Sequence, residues 1–497
     1  MTQIAPFPLP FRVAHLVALA PVRTVRELEM MRLSAGIRAK SQWHRKITDA
    51  DILARWTREA TELGMSAAQI RYVLDELAYY AGVRDESTGI EVSAVDGVWQ
   101  SDTLIDDALR SRLIEAARVL EDVPAAEQDW HPGSNHQVRN LVHPSLYCLV
   151  RGVSRSADAP WPSPATHDAR YAYSPKFQWL PTDVDVTDVG EVVLRSYINN
   201  VDPARHHALE SVLPDLLARM LPMLANVLTD LRHPRPVRIE VDPFSWYDDS
   251  EPTEPTDEDD DEADQAYEAA WDHWWENRRP AVPDAPVFQA PPPVDDSVRV
   301  DLNGRRLQVI VKLATIQLTP AKPEYPGGSW HVEGMLNERI VATGIYYWDN
   351  DNITDSVLGF RAAVDDPQYQ QNDETGMREV FGLADEDILN QDLGSVQARA
   401  GRCVAFPNIL QHRVAPFRLQ DPTRDGHRKI LAFFLVDPSI TIVSTSDIPP
   451  QQPWSPTSTM TPAQAAVFRE ELMRERKFFV DEHNDELYER EFSLCEH

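Results

Sequence analysis

The sequence predicts an α+β fold. A β-rich C-terminal part of sandwich or jelly-roll type follows a helical N-terminal region and is closed by a C-terminal helix. Three observations predict it: apolar residues recur at helical spacing between 22 and 120, short β-branched and aromatic runs separated by turns fill 298–450, and a capped amphipathic pattern occupies 461–492. The 497 residues allow two to four domains or one large elaborated one. We divide them into a helical region 1–125, a mixed region 126–247 packed on the core, an acidic insert 248–266, a Trp- and Pro-rich connection 267–297, a β core 298–450 and a C-terminal segment 451–497.

Taken in order, residues 22–38 carry Leu28, Met31, Leu33 and Ile37 on a helix. Thr48, three before Asp51, marks a second helix start. Ser66 with Gln69 forms a capping box ahead of Ile70, Val73, Leu74 and Leu77, and Gly82 is the stop. A further helix covers 102–120. Residues 123–190, rich in Pro, Trp and His, read as long ordered loops with short strands. A strand follows over 192–198, a helix over 206–231 with Leu209, Val212, Leu216, Leu217 and Met220 on one side, and a short strand over 237–241. The acidic insert, whose run 257–262 is wholly acidic beside Pro252 and Pro255, reads as disordered or solvated. Residues 267–277 then place Trp271, Trp274 and Trp275 on one helical side as core, and 280–293 form a stiff Pro-rich connection. Strands are expected over 307–319, 340–348, 402–406, 430–436 and 441–444. Thr461 caps the closing helix, Pro462 takes its first position and Gln464 completes a capping box.

Composition excludes some classes. Acidic residues number 79 against 48 basic, a net charge of −31, of which 248–264 holds 11 acids and no base. Such a chain repels phosphate backbones and anionic membrane surfaces, so neither nucleic acid nor membrane is expected as a partner, and neutral or cationic substrates are favoured. Cys148, Cys403 and Cys495 form no CxxC pair, which fits a reducing compartment. No run of 18 apolar residues occurs. Arg12 ahead of an apolar stretch 13–20 faintly suggests a signal peptide, but His15 interrupts it and prolines precede it, so the expected location is cytoplasmic.

The chemistry gathers in Gly327-Gly-Ser-Trp-His331-Val-Glu333-Gly334. Residues two apart on a strand share a face, so His331 and Glu333 can share one ion. His412 stands further on, after the run 402–406, and Arg428, sixteen residues later, opens the next strand. Two histidines and one carboxylate make the facial triad of non-haem Fe(II) oxygenases, with three positions left open, and a guanidinium can grip a carboxylate with two parallel hydrogen bonds. This ordered set resembles the Fe(II)/2-oxoglutarate-dependent oxygenases.

A wider resemblance covers most of the chain. Leu141-Val-His-Pro-Ser-Leu-Tyr147, Phe177-Gln-Trp-Leu-Pro181, Ser196-Tyr-Ile-Asn-Asn200, Lys322-Pro-Glu-Tyr-Pro-Gly-Gly-Ser-Trp-His331-Val-Glu333-Gly334 and His427-Arg-Lys-Ile-Leu-Ala432 are similar to the family called domain of unknown function 4246. That family names no substrate, and the chemistry is implied by the oxygenase-like motif. The resemblance to the oxygenases implies a double-stranded β-helix (cupin-like) core. It also implies Fe(II) on His331, Glu333 and His412, 2-oxoglutarate with its far carboxylate on Arg428, O₂ as oxidant, and release of succinate and CO₂. A carboxylate in the ligand set disfavours halide binding, leaving hydroxylation or demethylation of a small molecule or peptide. Most relatives carry Asp where Glu333 stands, one methylene shorter.

Lys312, in the middle of an apolar strand, can assist 2-oxoglutarate or reach out at a barrel edge; Tyr325, Tyr346 and Asn408 can hydrogen-bond the co-substrate or serve packing and turns. Arg424 is the alternative to Arg428, and His427 should face away from it. His131, His136 and His143 match no common metal spacing, and Cys403 should be buried and inert. Two other classes remain open: a non-catalytic binding or scaffold protein of cupin fold that docks partners through the acidic insert, and a metal-dependent cupin-like enzyme without 2-oxoglutarate.

Overall fold

The computed structural model describes residues 5–11, 19–154, 171–247, 251–255 and 261–494; the signal-like stretch at 12–18, part of the acidic insert and Cys495 lie outside them. The N-terminal helices are α1 (Val25–Arg38), α2 (Trp43–Lys46), α3 (Ala50–Glu62), α4 (Ala67–Val83) and α5 (Asp107–Glu121). Their caps follow local chemistry. Thr24 accepts the Glu27 N–H, and Ser66 and Gln69 form the expected reciprocal box. The cap of α3 is Asp49, not Thr48: a carboxylate can take both the Asp51 and Ile52 N–H groups, while the Thr48 hydroxyl donates back to the Arg45 carbonyl. Asp106 caps α5, which therefore starts later than expected, and Asp102 instead grips Arg402 at 2.6 and 2.8 Å.

Strands β1 (Glu91–Val92), β2 (Trp99–Ser101), β3 (Asp129–Trp130), β4 (Val138–Val142), β5 (Leu149–Val150), β6 (Phe177–Gln178), β7 (Thr182–Val186) and β8 (Val192–Leu194) precede α6 (His207–Arg232) and α7 (Asp261–Asn277). The β-rich part holds β9 (Arg306–Leu318), β10 (Glu324–Tyr325), β11 (Ile340–Asp351), β12 (Val357–Ala363), α8 (Glu374–Phe381), β13 (Asn390–Gln397), β14 (Cys403–Pro407), β15 (Gln411–Val414), β16 (Phe417–Arg418) and β17 (Gly426–Val436), and α9 (Pro462–His483) closes the chain. The capping box of Thr461 and Gln464 and the first-turn proline of α9 form as the sequence requires.

Among the described residues, ten strands join one antiparallel sheet of order β1-β2-β14-β11-β17-β9-β4-β3, with β7 also paired to β9 and β8 to β7. Strands from the regions before 298 thus extend the sheet made by the C-terminal part. A three-stranded sheet, β13-β12-β15, faces it. Period-two alternation divides the side chains of the large sheet. Ile310, Ile345, Tyr347, Ala432 and Phe434 pack against Leu358, Phe360, Leu393 and Val396 of the small sheet. Leu313, Tyr346, Trp348, Leu431 and Phe433 pack on the other face, beneath α5 and α6. At Gly344 of β11 a Cβ would come within 2.8 Å of Met220 Cε, so glycine lets α6 close on the sheet. By length and composition α6 could cross a bilayer, but 61% of its apolar window is buried in the fold, which assigns that stripe to the core.

Several expectations are corrected. Residues 237–241 and 441–444 are not strands. Ile239 and Ile442 donate their N–H groups to Glu27 and Gln308 side chains, which satisfy the backbone without a ladder. The last six residues of the acidic insert are helical, since α7 begins at Asp261. Its tryptophans are half-exposed, stacked on one another and on Arg278, whose guanidinium lies 3.5 Å from the Trp275 ring centroid. The small-sheet strands β12, β13 and β15 and helix α8 are not among the elements expected from the sequence.

A buried ion cluster ties the helical region together. Arg238 reaches Asp96 and Glu76 at 3.0 Å and Glu27 at 3.4 Å, and Arg23 reaches Asp96 at 3.1 Å. Although burial opposes its ionisation, the two guanidiniums hold the Asp96 carboxyl well below its usual range. Removing one partner of such a cluster leaves carboxylates buried and uncompensated, typically at about 3–5 kcal/mol. Arg238→Met should therefore lower the urea midpoint by an amount equivalent to about 3–5 kcal/mol at neutral pH, with the slope unchanged; an unshifted midpoint would refute the role given to the cluster.

Candidate metal centre

Between the two sheets lies a cavity of about 410 Å³, within the roughly 300–1,000 Å³ typical of small-molecule sites. Strand register builds its floor. Lys312, Ala314 and Ile316 of β9 stand directly opposite Ala432, Ile430 and Arg428 of β17, and all six line the cavity.

The segment after β10 supplies its reactive edge. Gly327 has φ +93°, and a Cβ there would come within 2.9 Å of the Val414 carbonyl; glycine lets the chain lie directly against β15. The Gly328 N–H donates to that carbonyl at 2.9 Å. Three residues on, His331 and His412 exchange backbone hydrogen bonds at 3.2 and 3.0 Å in a single antiparallel bridge. The bridge sets the two imidazoles 4.4 Å apart, centroid to centroid. Glu333 is held by Asn408, whose carbonyl oxygen accepts the Glu333 N–H at 2.8 Å while its amide donates to the Glu333 and Ile340 carbonyls.

Glu333 Oε1 then lies 3.4 Å from His412 Nε2 and 3.9 Å from His331 Nε2, and one ligand atom from each residue falls within 4.8 Å of the others. Right-angled ligands at metal distances of about 2.0–2.2 Å sit about 3 Å apart, so a divalent ion needs the two Glu333 pairs to contract by less than about 1 Å and the whole set by no more than about 2 Å. His331 Nδ1 faces the Ser329 carbonyl at 2.9 Å, which fixes Nδ1 as the donor and leaves the Nε2 lone pair for an ion. Burial, aided by the neighbouring His412 and outweighing the Glu333 charge, pushes the His331 imidazole down to about 4. Burial alone would raise the Glu333 carboxyl, but the His412 hydrogen bond and the Lys312 and His331 charges outweigh it and hold it at about 2. Both groups are thus in the metal-binding form at neutral pH.

The other predicted residues divide. Arg428 is buried at the cavity wall, hydrogen-bonded to Ser356 Oγ at 3.0 Å, with its Nε unpartnered and its guanidinium 4.8 Å from the Tyr347 ring centroid. Lys312 and Tyr325 line the cavity. Tyr346 does not: strand parity turns it to the opposite face of β11, toward α5, and Tyr347 takes the place beside Arg428. Asn408 is a positioning residue, its side chain spent on the backbone. Arg424 is exposed and paired with Asp421, and His427 pairs with Asp349 at 2.7 Å, away from the triad as expected. His131 and His143 line the cavity with rings 5.3 Å apart, whereas His136 packs tilted against Trp130. Cys403 is buried, and its thiol is pushed up by burial. Trp179, inside the quoted stretch Phe177–Pro181 but given no site role, and Arg476 reach the cavity from a loop and from α9. Among the lining residues Glu333 is the sole carboxylate, against Lys312, Arg428, Arg476 and Lys477, so the local charge is opposite to that of the whole chain.

The model of the family described as protein of unknown function (DUF4246) matches residues 67–456, and that of its N-terminal domain matches residues 2–59. No curated protein matches the chain. Similar solved structures include the Fe(II)/α-ketoglutarate-dependent dioxygenase TqaL, 14% identical over 37% of this chain and 56% of that one, with a TM-score of 0.18. IDO from Bacillus thuringiensis is 10% identical over 27% of this chain and 47% of that one, with a TM-score of 0.16. The non-heme monooxygenase ThoJ, in its nickel complex, is 13% identical over 35% and 67%, with a TM-score of 0.18. The chain thus spans about half the length of the first two.

Two outcomes are expected. Asn408→Ala should weaken Co(II) binding by about 10–100-fold while the far-ultraviolet dichroism stays native; unchanged affinity would contradict the positioning role. The metal-free protein should lose stability as pH falls from about 6.5 toward 4. His131, His331 and His483 are each pushed down to about 4, chiefly by burial, so the unfolded chain takes up protons that the native state refuses. The slope is at most about 1.4 kcal/mol per pH unit for each histidine, less for the half-exposed His331. Urea midpoints at pH 7 and pH 5 check the sign.

Proposed function

The chain belongs to the family described as protein of unknown function DUF4246, and we propose that it is an Fe(II)/2-oxoglutarate-dependent oxygenase acting on a small molecule. One observation carries the reading: two imidazoles and one carboxylate converge within 4.8 Å at the wall of an apolar cavity that also holds a buried arginine with an unpartnered Nε. The run β14-β11-β17-β9, faced by β13-β12-β15 with the His331 segment beside β15, supports a double-stranded β-helix core over 298–450.

In this reading His331, Glu333 and His412 would hold Fe(II) on one face. The metal, with O₂ and 2-oxoglutarate, would supply the oxidant for a substrate C–H bond, most simply giving hydroxylation, succinate and CO₂. Arg428 would grip the far carboxylate of 2-oxoglutarate, kept in place by Ser356 and the Tyr347 ring, with Tyr325 close enough to feel its charge. The carbonyl of Ser329 keeps the His331 tautomer competent, and Asn408 keeps Glu333 aimed inward. Apolar walls from Ile316, Ile345, Leu358 and Phe434 exclude water from the reacting region.

Anaerobic addition of Fe(II) and 2-oxoglutarate should produce the metal-to-ligand charge-transfer band of the chelated keto acid. The band should vanish in His412→Ala and Glu333→Ala. In Arg428→Ala it should need roughly tenfold to hundredfold more 2-oxoglutarate, the loss of about 1.5–3 kcal/mol of charged hydrogen bonding. Bound iron without the band would favour a metal-dependent enzyme that does not use 2-oxoglutarate; no bound iron would favour a binding protein.

A further inference from the structure

The charges of the cavity do not close with metal and co-substrate alone. Fe(II) and the two carboxylates of 2-oxoglutarate cancel. Glu333 and Arg428 cancel. Arg476 is paired with Glu338 at 2.6 Å, and Lys477 is exposed to solvent. One cation remains, Lys312. It is half-buried on the cavity floor between Ile310 and Ala314, and it makes no hydrogen bond or ion pair among the described residues. An ammonium facing apolar walls without a partner is costly.

Its position separates it from the co-substrate. Lys312 stands opposite Ala432, and Arg428 stands opposite Ile316. Four residues of strand rise put those rows about 13 Å apart. Lys312 shares the cavity with Glu333, His331, His131 and His143. His131 keeps a buried Nδ1, and Arg476 a buried Nε and Nη1, all without hydrogen-bond partners. An unpartnered cation thus shares the cavity with idle hydrogen-bonding atoms and with apolar surface from Trp179 and Phe434.

Building on the oxygenase reading, we infer that the oxidised substrate is an anion with an apolar body, and that Lys312 binds its acidic head group on the side of the metal remote from Arg428. The head group would displace the water that otherwise solvates Lys312, and the apolar body would lie across the metal face. This reverses the expectation drawn from net charge, because a buried site feels its own lining and not the screened surface.

The test uses a panel of 3-phenylpropionate, indole-3-acetate and decanoate, each beside its primary amide. Each is added to the Fe(II)- and 2-oxoglutarate-loaded protein under argon, and binding is read by calorimetry and by perturbation of the charge-transfer band. At least one acid should bind about tenfold or more tightly than its amide. Lys312→Met should erase that preference and Lys312→Arg should restore it. Affinity for 2-oxoglutarate in Lys312→Met should stay within about twofold of the parent. Acids binding no more tightly than amides throughout the panel would overturn the inference. So would a loss of 2-oxoglutarate affinity in Lys312→Met equal to that in Arg428→Ala, which would place Lys312 in the co-substrate site. If no variant forms the band, the oxygenase reading fails by itself, and the acid–amide comparison on the metal-free protein still decides whether Lys312 takes an anion.

Discussion

Two backbone hydrogen bonds between His331 and His412 set the geometry on which the cavity depends. They join segments far apart in the chain, and a single bridge fixes which side chains converge. Because side chains alternate along a strand, a slip of one residue would turn either histidine out of the cavity. The neighbours of the bridge protect the register: Gly327 permits the close approach, the Gly328 N–H adds a rung, and Asn408 clamps the turn beyond Glu333. Glycine and asparagine serve here as backbone chemistry, and the candidate ligands inherit their positions from it.

The rest of the chain holds that bridge steady. The large sheet is sandwiched between α6 on one face and the small sheet on the other, so its inward residues cannot shift without disturbing a close-packed core. Helix α9 returns from the end of the chain to line the cavity, and its Arg476 closes on buried Glu338, whose other oxygen accepts the Met335 N–H. The same carboxylate also accepts the Trp179 N–H, so one buried acid ties a loop, a helix and the segment after Glu333 together. The ion cluster around Arg238 plays the corresponding part in the helical region.

Charge follows location, not composition. Acids cover the chain as a whole, yet Glu333 is the single carboxylate at the cavity wall. Solvent and salt screen the surface excess within about 8–10 Å, while the cavity groups act on one another across a poorly polarisable interior. Burial drives His331 to its metal-binding form, and the neighbouring His412, Lys312 and His331 groups drive Glu333 to its own.

The sequence by itself determined the elements whose chemistry is local. Capping boxes at Ser66 and Thr461 need only residues three apart. The long apolar runs of β9, β11 and β17 and the stripe of α6 declare themselves by period. The convergence of His331, Glu333 and His412, with Arg428 in the same cavity, was legible because residue type and strand spacing travel together in the chain. Tertiary structure decided the remainder. Tyr346 and Tyr347 are adjacent, and only the pairing of β11 with β14 and β17 decides which of them faces the cavity. Asn408 could serve a ligand or a turn until its partners were fixed. β13 and β15 are largely polar, so their order depends on the sheet they face. Trp179, His131 and Arg476 reach the cavity from segments whose local pattern assigned them no site role, since residues distant in sequence meet only through packing. A pattern of neighbours along the chain can specify a ligand set, but the lining of a cavity is a property of surfaces brought together by the fold.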